Sequence, residues 1–230
     1  MRLCDGENRR ETMDEKTERV LGEVRELVPL GALGMMRRPL SLREDRTVSE
    51  RQAGRLLRLL GIFKPPVDVE LILELEGIRL DVQSEMPVSA HSVWKGDHWL
   101  VTLNEDDSVW RSRASLAHEI KHILDDPFRD VLYPDWPRDV YVEPPVQAER
   151  SADYFAGCLL VPRSWLLHAW HGQTRDVTEL ASLFGVSESL LRTRLRQVGL
   201  RFTGRGRLGG YVGSGYGRSL AGVVGGGASV

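Results

Sequence analysis

The 230-residue sequence, 41% hydrophobic and 28% charged, lies close to globular averages, which excludes wholesale disorder, a collagen-like repeat and a disulfide scaffold. Its 31 Lys and Arg are offset by 33 Asp and Glu, so no global basic excess draws the molecule onto a phosphate backbone and any nucleic-acid role has to be local. Two cysteines, Cys4 and Cys158, suit unpaired thiols in a reducing compartment. With no run of about 18 apolar residues and no apolar leader, the sequence predicts a cytoplasmic protein without a membrane span.

In chain order, residues 1–47 mix charges with a short apolar pattern (Val20, Leu21, Val24, Leu27, Val28) that fits one helix before Pro29, and they are read as a variable arm. From Ser49, the residues Ala53, Leu56, Leu57 and Leu60 recur at helical spacing and stop at Gly61, with Pro65-Pro66 beyond. A short helix over 68–76 ends at Gly77. Residues 78–82 alternate as a strand does, and strands over 89–95 and 98–103 flank Gly96-Asp97, a two-residue connection that favours a hairpin. A small antiparallel sheet is expected.

A helix is predicted over 109–125, stopped at Pro127, then a loop holding Pro134, Pro137, Pro144 and Pro145. A helix over 147–161 follows, and Pro162 opens another. Residues 177–196 read as two short helices around Gly185, and the glycine-rich stretch from 204 onward is expected to be disordered.

His118-Glu119-Ile120-Lys121-His122 is an H-E-x-x-H motif inside a segment predicted helical on other grounds. By chance the pattern occurs in fewer than about 1% of chains this long. Residues four apart share a helix face, so both imidazoles can reach one ion at roughly 2.0–2.1 Å while Glu119 stands beside the ion's water. A catalytic zinc needs a third protein ligand and an open fourth position. The extended H-E-x-x-H-x-x-G-x-x-H pattern fails, since Asp125 and Phe128 occupy its Gly and third His positions. In the helix 147–161, Glu149 heads a face with Ala152, Asp153, Ala156 and Leu160, and its alanines let another helix approach. A carboxylate on such a face costs several kcal/mol if buried unpaired, and a divalent cation satisfies it. Glu149 is therefore the expected third ligand, with Asp153 accepting the second N–H of a ligating histidine, most naturally His122. Asp125, Asp126 and Glu143 are the alternatives, in or near a loop.

These residues resemble the ImmA/IrrE family of metallopeptidases over roughly residues 50–200. The likeness rests on Arg113-Ala-Ser-Leu-Ala-His-Glu-Ile-Lys-His122 and on Glu149-Arg-Ser-Ala-Asp-Tyr-Phe-Ala-Gly-Cys-Leu-Leu-Val-Pro162. The second block is similar to the family's E-x-x-A-N-x-F-A-x-x-L-L-x-P helix, with Asp153 where Asn is usual. Lys121 stands where the family commonly has Gly, on what is expected to be an exposed side of the helix. The resemblance implies one zinc per chain on His118, His122 and Glu149, with Glu119 as the catalytic carboxylate. It also implies a cytoplasmic endopeptidase that cuts a DNA-binding repressor or antitoxin, often of helix-turn-helix type.

The expected fold class is α+β: an arm over 1–47, a mainly helical, zincin-like metallopeptidase domain with a small antiparallel sheet over 48–172, a helix-turn-helix-like segment over 173–203 and a tail over 204–230. Candidate donors to a developing oxyanion are Tyr133, Tyr141 and His98, and a substrate strand is expected to add at the sheet edge near 98–103. Small residues at Ala181 and Gly185, with Arg192, Arg194 and Arg196 on the following helix, make DNA or partner binding the second function class. In that class the chain is a zinc-containing regulator that does no cleavage. Otherwise these helices pack behind the peptidase core.

Overall fold

The computed structural model describes residues 13–28, 38–75, 77–136 and 144–202. Cys4, Tyr141, Glu143 and the glycine-rich tail lie outside the described residues. In order come α1 (Met13–Arg25), α2 (Leu42–Leu59), α3 (Glu70–Leu73), β1 (Ile78–Gln83), β2 (Ala90–Trp94), β3 (Trp99–Asn104) and α4 (Val109–Asp125). A 3-10 turn (Asp126–Phe128) leads to α5 (Arg129–Leu132), α6 (Val146–Leu160), α7 (Arg163–Gly172), α8 (Val177–Phe184) and α9 (Glu188–Val198). The architecture is α+β, mostly helical with one small sheet.

Helix α2 begins at Leu42 rather than near Ser49, because Ser41 and Glu44 form a capping box. The Ser41 amide donates to the Glu44 carboxylate at 2.9 Å, and the Glu44 amide donates to Ser41 Oγ at 3.4 Å. A cap of this kind contributes about 1 kcal/mol and needs no apolar residue, so hydrophobic spacing alone overlooks the first two turns.

The sheet has the order β1-β3-β2. Strands β2 and β3 form the predicted hairpin: the Lys95 amide donates to His98 O at 2.8 Å, Gly96 supplies φ 100°, and Trp94 faces Trp99. Strand β1 instead runs parallel to β3, from Ile78 opposite Trp99 to Gln83 opposite Asn104, which corrects the wholly antiparallel sheet. The link after β1, where the Glu85 amide donates to Asp106 Oδ2 at 2.9 Å, carries the chain past the place that β3 later fills. Alternation fixes which face a side chain takes, not which strand lies next to it. Since β3 is the middle strand, no open edge exists at 98–103; among the described residues the edges of the sheet are β1 and β2.

One sheet face, with Ala90, Val101 and Leu103, closes on α4, and α4 packs on α6, whose other flank is covered by α2. Val20, Leu21 and Val24 of α1 share this core, and Arg25 Nη2 donates to Ile123 O at 3.0 Å, so the described first helix of the arm is part of the folded unit. Leu180, Phe184, Leu191 and Leu195 are buried in the same core, which joins α8 and α9 to it. The turn between those helices needs glycine twice over. Gly185 takes φ 63°, and a Cβ there would meet Pro66 Cβ at 3.2 Å and Trp110 at 3.3 Å. Arg113 of α4 pins the turn by donating to Gly185 O at 3.0 Å and Val67 O at 2.7 Å. No helix among the described residues is long and apolar enough to cross a membrane.

Lys121 is buried at 1% exposure, not on the outer side of α4 as the sequence suggested. Its ammonium donates to Asp125 Oδ1 at 2.6 Å and Gln52 Oε1 at 3.0 Å, and Tyr133 Oη donates to Asp125 Oδ2 at 2.6 Å. Burial, with the Asp125 charge beside it, pushes the Tyr133 phenol far up, so it stays a donor. Asp125→Ala would strand the Lys121 charge in the interior. The expected loss is about 3–5 kcal/mol by denaturant unfolding, and a loss below about 1 kcal/mol would contradict this account of the pair.

Candidate metal centre

Helix α4 presents His118 and His122 one turn apart on the face that meets α6, and Glu149 enters from the first turn of α6. His118 Nε2 and His122 Nε2 lie 3.0 Å apart. The Glu149 carboxylate reaches both, at 3.5 Å from His118 Nε2 and 3.2 Å from His122 Nε2. One ligand atom from each of the three residues lies within 4.8 Å of the other two, the only such group among the described residues. Asp153, one turn after Glu149, accepts from His118 Nδ1 at 3.0 Å, not from His122 as the sequence reading had it. That bond leaves Nε2 of His118 as the nitrogen turned toward Glu149.

The residues fit a divalent cation. Two imidazoles and one carboxylate are the donor set of open zinc sites, and two Nε2 atoms face each other where at most one can donate. Glu149 Oε1 is buried and receives no well-formed hydrogen bond although His122 Nε2 is 3.2 Å away. The electrostatics ask for positive charge at the same point. Burial opposes a charge on His118, but the carboxylates of Asp153 and Glu149 outweigh it and raise His118 to about 10. Burial likewise pushes Glu149 up, and the two imidazoles overcome it and hold the carboxyl at about 2.

The raised His118 value gives stability that is complete below its ordinary 6.5 and is lost as pH climbs through about 10. The depressed Glu149 value gives stability present above its ordinary 4.5 and lost as pH falls through about 2. The metal-free protein should therefore lose thermal stability between pH 6.5 and 10 in calorimetry. The zinc-loaded protein should lose less, because ligation already requires a deprotonated Nε2. Equal slopes for both forms would contradict the shared role of His118.

Glu119 is buried beside His118, and Ser92 Oγ of β2 donates to Glu119 Oε2 at 2.7 Å. Ser92 was not singled out in the sequence; a lone strand serine carries no motif, and only the fold brings β2 against α4. Trp136 was also missed. It packs edge-on to His122 with ring centroids 5.7 Å apart and carries the Arg129 guanidinium 4.3 Å from its own centroid, so an aromatic from the proline-rich loop walls one side of the centre. Asp153→Ala should weaken metal affinity about 10–100-fold by competition with a chelator, the range for a carboxylate that orients a ligating histidine. An unchanged affinity would remove Asp153 from the centre.

Other candidates lie elsewhere. Asp125 is taken by Lys121 and Tyr133, and Asp126 pairs with Arg129 at 2.8 Å, so neither joins the ligand group. Tyr133 spends its hydroxyl on Asp125, and His98 is held on the hairpin by Asp97 at 2.6 Å. Arg194 is corrected as a DNA or partner contact: it is 1% exposed, with Nε donating to Val161 O at 3.1 Å and Nη2 to Glu50 Oε1 at 3.4 Å. Arg192 pairs with Glu188 at 3.0 Å, and Arg196 is exposed with its guanidinium turned back onto Arg192 O at 3.3 Å.

Comparison with curated proteins gives no match. A solved structure of a Mycobacterium tuberculosis transcriptional regulator is similar at TM-score 0.49 and 17% sequence identity, over 76% of this chain and 51% of that one. This chain thus spans about half of that protein's length. The IrrE N-terminal-like domain pattern of Peptidase_M78 matches residues 78–196, from the first strand into the last described helix and across His118, His122 and Glu149. By that match over more than half its length, the chain belongs to the Peptidase_M78 family of IrrE N-terminal-like domains.

Proposed function

We propose that the protein is a zinc-dependent endopeptidase whose substrate is a DNA-binding repressor or antitoxin. The observation that carries the reading is the convergence of His118, His122 and Glu149 with Glu119 fixed alongside. Zinc held by these ligands supplies acidification of water and polarisation of a carbonyl. The chain's own residues do the rest. Asp153 holds the His118 ring in one tautomer. Ser92 fixes one oxygen of Glu119, so its carboxylate is set to take the attacking water's proton and hand it to the leaving amine. Strand β2 carries Ser92 and is an edge of the sheet, so an extended substrate segment pairing with β2 lies next to Glu119.

The test is incubation of the zinc-loaded protein with a helix-turn-helix repressor encoded beside its gene, followed by intact-mass measurement. Two fragments whose masses sum to the repressor plus one water are expected. A repressor that binds the protein yet stays whole would overturn the substrate assignment.

A further inference from the structure

A cavity of about 330 Å³ lies between α2, α6 and α9. The larger part of its lining is apolar, from Leu42, Leu190, the Tyr154 ring and Gly157. A Cβ on Gly157 would meet Arg194 Cδ at 3.7 Å and Gln197 Oε1 at 3.8 Å, ordinary contact distances, so filling the cavity from this position takes a side chain larger than alanine's. The acidic groups around the cavity are already engaged. Asp45 accepts from Ser151 at 2.5 Å, Glu50 from Tyr154 at 2.9 Å, and Asp153 from His118. The lining arginines differ. Arg194 is buried and bonded, whereas Arg46 and Arg150 are exposed and neither forms a salt bridge among the described residues; Arg46 rests over the Tyr154 ring, 5.3 Å from its centroid.

A largely apolar lining of ligand-binding size, bordered by two exposed guanidinium groups that form no salt bridge among the described residues although Arg46 lies in the field of Asp45, suits an anionic head joined to an apolar body. We propose that this cavity binds a small amphiphilic anion, its carboxylate or phosphate head held by Arg46 and Arg150 and its apolar body laid against Tyr154, Leu42 and Leu190. Asp153 is part of the wall, so the cavity borders the residue that orients His118.

Isothermal titration of the full chain with octanoate and with octyl phosphate tests this, with octanol and inorganic phosphate as the arms that lack the charge or the apolar body. At least one of the two amphiphiles should bind saturably at one per chain, at least tenfold tighter than octanol and than inorganic phosphate. Which of them binds more tightly tells the head groups apart. Two variants attack the cavity from different sides: Arg46→Ala with Arg150→Ala removes the charge, and Gly157→Leu fills the apolar part. Each should lose at least tenfold in affinity. The arginines are on the surface, so the double variant should unfold at the wild-type temperature and decides the matter alone if Gly157→Leu does not fold. No saturable binding by either amphiphile, equal binding of octanol or inorganic phosphate, or a double variant that binds like wild type would overturn the proposal. The titration needs neither zinc nor cleavage, so its failure leaves the peptidase reading standing.

Discussion

Glu119→Gln is expected to keep one zinc per chain and to lose substrate cleavage by about 10²–10⁴-fold, the usual worth of a general base. The replacement keeps the side chain's size in a buried position, and its amide oxygen still accepts from Ser92, so packing and metal ligands stay as they are. What disappears is the ability to take a proton from water at neutral pH. Elemental analysis and initial cleavage rates measured on the same preparation separate the two properties. A variant that cleaves at the wild-type rate would mean that Glu119 is not the base and that the proteolysis has another source.

Glu149→Ala is the second large effect. Removing a carboxylate that only orients a ligand costs about 10–100-fold in metal affinity, so losing a ligand itself should exceed about 100-fold and leave the protein largely metal-free after dialysis. Glu149 sits at the first turn of α6 and is partly exposed, so the helix should survive its loss. Stoichiometric zinc in this variant would transfer the third ligand to another residue.

Much of the candidate site is legible in the sequence because its chemistry is written as spacing. Two histidines four apart on a helix share a face whatever the fold, and Glu149 and Asp153 share another. Which carboxylate meets which imidazole depends on the direction of α6 against α4. Glu149 reaches both histidines, while Asp153, further along α6, meets His118, further back along α4. The two helices thus run in opposing senses there, and no local pattern encodes that. The same limit explains Lys121 and Arg194. Both look like surface charges in a helical pattern, and both are buried against partners far off in sequence, Gln52 for one and Glu50 and Val161 for the other. The parallel pairing of β1 was hidden for a related reason, since strand alternation carries no information about neighbours. Boundaries held best where a stop signal coincided with the end of the apolar face, as at Pro127 after α4 and at Gly185 after α8.

The most direct measurement of the central claim is zinc X-ray absorption on the zinc-loaded chain. A catalytic centre built from His118, His122 and Glu149 predicts one zinc per chain with two imidazole nitrogens at roughly 2.0–2.1 Å, carboxylate oxygen at roughly 2.0–2.2 Å and one further light-atom position open to solvent. A sulfur neighbour at roughly 2.3 Å, or a shell closed by four protein ligands, would contradict it.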